Sequence, residues 1–304
     1  MLTFGTYNLW NLDLPRTAVQ KERYGLLVEV IRSLDVDVLA VQEILGDTPR
    51  SAEAVLRRLA DDTGMDCAAV RPYAYDSAPI PALASSQHTF HTALMWRQGI
   101  EPVTGGWRAY HGGPDFWHSM ATVILDVGAA RPVKFCSFHG DPFIPQRRLW
   151  ENYRVRSVFR TGEAGMIGAD WNQISADRRP DGSFYDPDPY TAQDHDDLLY
   201  QVKWNPDPDA TPVADRDPAE VLRWRGTLTD TAAALDVSWE PSCGHMPDNW
   251  GERRIDTVRV TRHLLPSLRA HRTVRTPATL AASDHLPALV DFEPVAITHL
   301  GEQR

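Results

Sequence analysis

Two hydrophobic rhythms open the chain. Leu2 to Tyr7 reads as a strand that stops at Asn8-Leu9-Trp10-Asn11. From about Arg16 to Leu34, the apolar residues Leu26, Leu27, Val30, Ile31 and Leu34 recur at helical spacing. Val36 to Val41 is a compact apolar strand that ends at Gln42-Glu43. Ser51 is suited to cap a second helix, whose buried face carries Val55, Leu56, Leu59 and Ala60 and whose stop is Gly64. Strands then dominate, at roughly 66–71, 92–97, 120–127 and 132–138, between turns rich in Gly, Pro and Asp. A helix over 146–160 and a strand at 165–167 restore the alternation. A helix near 218–235 precedes strands at about 255–260 and 287–292.

One stretch departs from this pattern. From about Asp177 to Asp217 the chain is crowded with Pro and Asp, as in Tyr185-Asp186-Pro187-Asp188-Pro189-Tyr190, and has little periodicity beyond Leu198 to Val202. A polar insertion this long is expected to be a functional lid or a mobile surface loop. No internal repeat or linker divides the sequence, so a single domain over 1–304 is expected. Helix–strand units early, strands in the middle and alternation again late suggest two mixed sheets packed together with helices outside, an α/β architecture.

Composition narrows the function. The chain has 304 residues, 42% of them hydrophobic, enough for a large core. With 31 basic and 41 acidic residues its net charge is -10, which argues against a broad basic surface for nucleic acid. Cys67, Cys136 and Cys243 match neither a zinc spacing nor a disulfide framework and are expected to be buried thiols. The N-terminus runs directly into a strand with no basic leader. No apolar run reaches the length of a membrane span, so a cytoplasmic monomer is the expectation.

The chemistry sits where strands end. Glu43 follows an apolar strand directly, a place that holds a ligand rigidly; alone it would be an ordinary surface carboxylate. In Gly168-Ala169-Asp170-Trp171-Asn172, Asp170 and Asn172 are two apart and face one way on an extended chain, unless the pair forms an Asx turn. Asp256 lies in the apolar strand Arg254-Ile255-Asp256-Thr257-Val258, where a carboxylate needs a partner: His285, or Arg254 in a structural salt bridge. Ser283-Asp284-His285-Leu286-Pro287 leads into the last strand, and His139 ends the strand from Val133. His88, His91, His111 and His118 match no zinc pattern; for His118 a surface role is expected, with contact to the phosphate as the alternative. Asp194, His195, Asp196 and Asp197 form either a second cation site or a solvated acidic loop.

Taken in order, Tyr7-Asn8-Leu9-Trp10, Val41-Gln42-Glu43, His139, Gly168-Ala169-Asp170-Trp171-Asn172, Arg254-Ile255-Asp256 and Ser283-Asp284-His285-Leu286-Pro287 resemble the motifs of the endonuclease/exonuclease/phosphatase superfamily, which has the DNase I-like fold. The resemblance runs from the first strand to the last. Ala169 and Trp171 depart from the usual Gly-Asp-Phe-Asn pattern, Thr257 stands where Tyr is frequent, and the 177–217 insertion has no counterpart.

The resemblance implies a four-layer α/β sandwich with its site at one rim of two mixed β-sheets. It implies that Glu43, assisted by Asn8 and Asp284, binds Mg2+ or Mn2+. Asp170 would orient or deprotonate a water, while Asn172, His139, His285 and Asn8 hold the phosphate and Asp256 supports His285. The expected activity is phosphoester hydrolysis by a nuclease, with the tryptophans and the Tyr185/Tyr190 pair as base-stacking candidates and Arg147, Arg148, Arg178 and Arg179 as a candidate basic groove. A phosphatase or phosphodiesterase for a small metabolite or lipid head group is the alternative. A catalytically silent binding module is a third reading.

Overall fold

The structure is a computed structural model that describes residues 1–74, 77–159, 163–190, 201–207, 209–246 and 251–298. Two seven-stranded sheets carry the chain. In the first, β1 (Leu2–Leu12) lies parallel to β2 (Val38–Leu45), and β2 pairs antiparallel with β3 (Phe90–Arg97). In the second, β4 (Ser119–Asp126) is antiparallel to β5 (Val133–His139). β5 lies parallel to β6 (Gly165–Asp170), which is flanked antiparallel by β7 (Asp256–Val260). The chain then returns to the first sheet through β8 (Leu268–Thr273) and β9 (Ala288–Phe292), with β9 antiparallel to β1.

A parallel pair needs a long crossover. Helix α1 (Ala18–Leu34) supplies it between β1 and β2, and α3 (Pro145–Val158) supplies it between β5 and β6. With α2 (Pro49–Thr63), α1 covers Tyr7, Leu39 and Val41 on the outer face of the first sheet. On the second sheet, α3 and α4 (Asp217–Arg223) cover Cys136, Phe138, Ile167 and Ala169. Between the sheets lies a third cluster, including Phe4, Ala40, Phe135, Met166 and Val258. Helix, sheet, sheet, helix: the four-layer order expected from the resemblance is the one observed.

Alternation along the strands explains the position of the rim. Side chains two apart share a face, and each row facing the other sheet changes from apolar to polar toward the same end. The rows run Phe4-Thr6-Asn8, Val38-Ala40-Gln42, Phe135-Ser137-His139, Met166-Gly168-Asp170 and, in reverse, Val260-Val258-Asp256. A Cβ at Gly168 would meet Thr6 Cβ at 2.7 Å and Ala40 Cβ at 3.0 Å, so the two sheets approach closely just below this polar edge. Gln42 donates to Ser137 Oγ at 3.0 Å, and Ser137 donates to Val41 O at 2.9 Å, tying the sheets together.

Several local expectations are corrected. Thr48 caps α2 in place of Ser51, which stands three residues on and returns its Oγ to the Thr48 N–H. The expected helix over 218–235 is broken because Arg225 and Gly226 both take left-handed backbone angles. Only short pairings occur in the expected strand at 66–71, while β8 and the helix α5 (Pro277–Ala282) were not anticipated.

The 177–217 stretch is described except for 191–200 and 208, and its described part is stitched to the body rather than standing as a loose surface loop. Arg254, buried, grips Asp186 at 2.7 Å and Asp230 at 2.9 Å, and Arg259 meets Asp177 at 2.7 Å. All three cysteines are buried and unbridged, and burial pushes the Cys67 and Cys243 thiols up to about 12. Among the described residues no helix is long and apolar enough to cross a membrane.

Candidate active site

β1 and β2 both break register at the rim, between Asn8 and Leu12 and between Val41 and Ile44. Simple alternation would turn Glu43 toward the helix layer, since Gln42 already faces inward. Instead Glu43 takes a left-handed φ of 61°, and its carboxylate accepts from Asn8 Nδ2 at 3.2 Å and from the Asn11 N–H at 2.9 Å. Asn8 spans the sheets, donating from the same nitrogen to Asp170 Oδ2 at 3.0 Å while its oxygen accepts from the Trp10 N–H. The oxygen that a metal would use on Asn8 is thus engaged with backbone.

Asp170 ends β6 with both oxygens occupied. Oδ1 accepts from the Asn172 N–H at 3.0 Å, and Oδ2 lies 3.5 Å from His139 Nε2 and 3.8 Å from His285 Nε2. Asn172 also turns left-handed, with φ 50°, and donates to Gly140 O at 3.1 Å. The Asx contact considered from sequence is therefore present within the site. Asp256 meets His285 Nδ1 at 2.7 Å, while Arg254 is committed to Asp186 and Asp230. Ser242 braces this pair: its Oγ donates to Asp256 Oδ2 at 2.7 Å and accepts from the Ile255 and Asp256 N–H groups. Nothing in the sequence around Ser242 signalled that role.

Charge polarises the two histidines in opposite senses. Burial acts to lower the His285 pKa, but Asp256 and then Asp170 outweigh it and hold the imidazolium well above the ordinary histidine range. Burial, followed by the charge of His285, lowers His139 to about 3, so that ring is neutral. Burial also raises Asp170, Asp256 and Glu43, opposed in each case by His285. Paired groups pushed apart in this way are characteristic of acid–base sites.

Asp170, Asp256 and His285 offer ligand atoms within 4.8 Å of one another. A protonated imidazole repels a cation, however, and Asp256 Oδ2 is already shared by His285 and Ser242. The better-suited donors are the carboxylates of Glu43 and Asp284: after burial, the charge of Asp284 is among the causes that raise the Glu43 pKa, and both offer hard oxygen ligands. The acidic excess at the rim therefore fits a divalent ion. Asp284 shares a pocket wall with Trp10, Asn172 and His285.

Other sequence-based candidates fall elsewhere. His118 is buried rather than at the surface, its ring stacked on His139 with centroids 4.0 Å apart. Tyr185 and Tyr190 are only 2% and 1% exposed and cannot stack on bases. Arg148 is buried, Arg178 lies over Phe184, and Arg179 pairs with Asp236; Arg147 alone stands near the rim, paired with Asp141. The polar run Asp194 to Asp197 lies outside the described residues. A cleft of about 510 Å³ opens on Glu43, His139, Asp170, Asn172 and His285, with Trp117 and Phe143 along its side, aromatic neighbours the sequence did not point to.

No family model matches the chain, and no curated protein matches it in sequence. Solved structures do. An endonuclease/exonuclease/phosphatase from Bacteroides vulgatus superposes with a TM-score of 0.62 at 13% identity, covering 96% of this chain and 98% of its own. An AP endonuclease from Archaeoglobus fulgidus gives 0.60 at 14% identity, covering 96% of this chain and all (100%) of its own. A mannosyl-6-phosphatase from Bacteroides thetaiotaomicron gives 0.58 at 16%, again with 96% and 100% covered. The chain thus has the DNase I-like fold of endonuclease/exonuclease/phosphatase proteins. At these identities the likeness is one of fold, and chemistry has to be argued from the rim itself.

Proposed function

We propose that this protein is a divalent-metal-dependent phosphoesterase that hydrolyses its ester by in-line attack of water on phosphorus. One observation carries the reading: the polar ends of both sheets converge, so that Asp170 Oδ2 faces the Nε2 atoms of His139 and His285 while Asn8 joins it to Glu43. Structures named as an endonuclease and as a sugar phosphatase share the fold, which supports the reaction class.

Glu43 and Asp284 are the residues that would hold Mg2+ or Mn2+, with Asn8 beside them. Bound there, the ion supplies positive charge against the phosphoryl oxygens. Asp170 orients the attacking water and takes its proton at Oδ2. Asn172, neutral His139 and the His285 imidazolium hold the phosphoryl oxygens, where donors fixed in advance act most strongly. Asp256 keeps His285 charged and aimed. We further infer a single domain acting as a cytoplasmic monomer.

Of the two substrate classes considered, a small phosphoester is better supported than a nucleic acid. The expected basic groove is not assembled, and the net charge is -10. The test is purified protein with Mg2+ or Mn2+, against a chelated control, on single-stranded DNA, duplex DNA, RNA and a panel of phosphorylated metabolites. Small esters should be turned over faster than polymers. Asp170→Ala, His285→Ala and Glu43→Gln should each lower turnover by at least about a hundredfold. Wild-type rates in all three variants would overturn the proposal.

A further inference from the structure

The cleft over the rim has two unlike walls. One is the polar cluster just described. The other is aromatic: Trp117 lies 4.0 Å from the His88 ring at 31°, and Phe143, 58% exposed, meets Trp117 edge-on at 6.0 Å. Both aromatic side chains are held in place rather than incidental. Glu151, buried on α3, accepts the Trp117 N–H on one oxygen at 2.6 Å and the Asp141 N–H on the other at 2.8 Å. Asp141 in turn accepts the Phe143 N–H at 2.6 Å and the Ile144 N–H at 2.9 Å. A single buried carboxylate therefore fixes the loops that carry Trp117 and Phe143. With Arg147 Cζ 4.8 Å from its ring and the His88 ring at 4.0 Å, Trp117 backs the wall, and the exposed rings of His88 and Phe143 present it to the cleft; Arg147 is itself paired with Asp141.

The lining contains neither Lys nor Arg, and the nearest guanidinium groups, Arg147 behind Trp117 and Arg253 in the adjoining pocket, are engaged with Asp141 and with Gly251 and Gln201, which matches the further charges of a polyanion poorly. What does match a rigid aromatic wall beside a phosphate site is a flat, uncharged ring, since stacking is tolerant of ring identity. A volume of about 510 Å³ suits a ring and a phosphoryl group on one small molecule. We propose that this cleft binds the organic half of the substrate, and that this half carries a flat aromatic ring a few bonds from the phosphorus. The inference rests on the phosphoesterase reading and narrows its substrate class.

Adenosine 5′-monophosphate and ribose 5-phosphate share the same scissile P–O–CH2 unit and differ in the ring, and their methyl diesters form a second matched pair. With the full chain and Mg2+ or Mn2+, kcat/KM for the ring-bearing member should exceed its partner by about tenfold or more in at least one pair. Trp117→Ala should erase most of that ratio, while Trp117→Phe retains it and Phe143→Ala weakens it. Equal rates within both pairs, or a Trp117→Ala that lowers both members alike, would overturn the inference. So would turnover of a ringless ester such as glycerol 3-phosphate with neither adenosine ester cleaved, an outcome that leaves the phosphoesterase reading standing. No cleavage of any phosphoester would remove that reading and this inference together.

Discussion

Gly168 offers a direct test of whether the closeness of the two sheets builds the site. An added methyl would sit 2.7 Å from Thr6 Cβ, 3.0 Å from Ala40 Cβ and 3.2 Å from Phe4 Cζ. Two of these atoms are Cβ atoms on central strands and cannot rotate away. Carbon atoms rest about 3.5–4.0 Å apart, so the sheets must part by roughly half an ångström or more. Overpacking of this kind costs about 1–3 kcal/mol, and with no flexible neighbour the upper end is expected. At about 2 °C per kcal/mol for a chain of this size, Gly168→Ala should melt about 5 °C lower.

Activity should fall as well. Asn8 and Asp170 stand two residues beyond Thr6 and Gly168 and meet across the sheets at 3.0 Å. A misplacement of about 1 Å costs on the order of a hundredfold, so a loss of about tenfold in kcat/KM is expected. Gly5→Ala is the control. Its Cβ meets Leu289 Cδ2 at 2.5 Å, the end of a side chain that can move, on the helix side of β1. It should lose stability without losing activity. Thermal unfolding and initial rates on the same preparations decide the matter. A Gly168→Ala protein that melts and turns over like wild type would refute the account of sheet closure. One that loses stability alone would refute the coupling of that closure to the site.

Three further outcomes follow from the buried charges. Arg254→Met leaves Asp186 buried without its cation and Asp230 with only Arg259 at 3.9 Å, and denaturant unfolding should show a loss of about 3–5 kcal/mol, partly recovered by adding Asp186→Asn; a loss below about 1 kcal/mol would contradict the network. His285 has its pKa raised in the fold, so its contribution to stability is full below the ordinary histidine value, about 6.5, and is lost as pH rises through the raised value. Asp256→Asn should flatten that dependence and bring the alkaline fall in turnover nearer neutrality; coincident pH profiles for the two proteins would count against the pair. Mg2+ at about a hundred times its dissociation constant should stabilise the fold by about 2.7 kcal/mol, and Glu43→Gln should lose most of the accompanying rise in melting temperature. An equal rise in that variant would move the ion away from Glu43.

Where a single strand decided the outcome, the sequence was enough. Asp170 stood out because small residues and a strand precede it, and Asp256 because a carboxylate inside an apolar strand requires a partner. The choice between His285 and Arg254 for that partner needed the fold, because Arg254 is committed to Asp186 and Asp230, which come from distant segments. Tyr185 and Tyr190 looked exposed because Pro and Asp surround them, yet those aspartates are drawn inward by Arg254 and by backbone donors. Ser242, Glu151 and Trp117 gave no local signal. Their roles arise from meetings between loops far apart in the chain, and no spacing rule encodes such meetings.

The rim also shows why a strand-end motif survives where regular structure fails. Of the eight non-glycine residues with positive φ among the described residues, four stand at this edge: Trp10, Asn11, Glu43 and Asn172. Left-handed backbone costs a residue with a side chain about 1–2 kcal/mol, and it persists where surrounding contacts over-determine it. Here those contacts are the site's own. The Asn11 N–H binds the Glu43 carboxylate, and the Asn172 N–H binds Asp170. Without the bend at residue 43, the period of two would send the carboxylate into the helix layer among Val41, Ile44 and Leu56. The break in register is therefore what delivers Glu43 to Asn8 and Asp170. The same interactions that hold the strained turns also fix the acidic side chains, so loosening one should release the other.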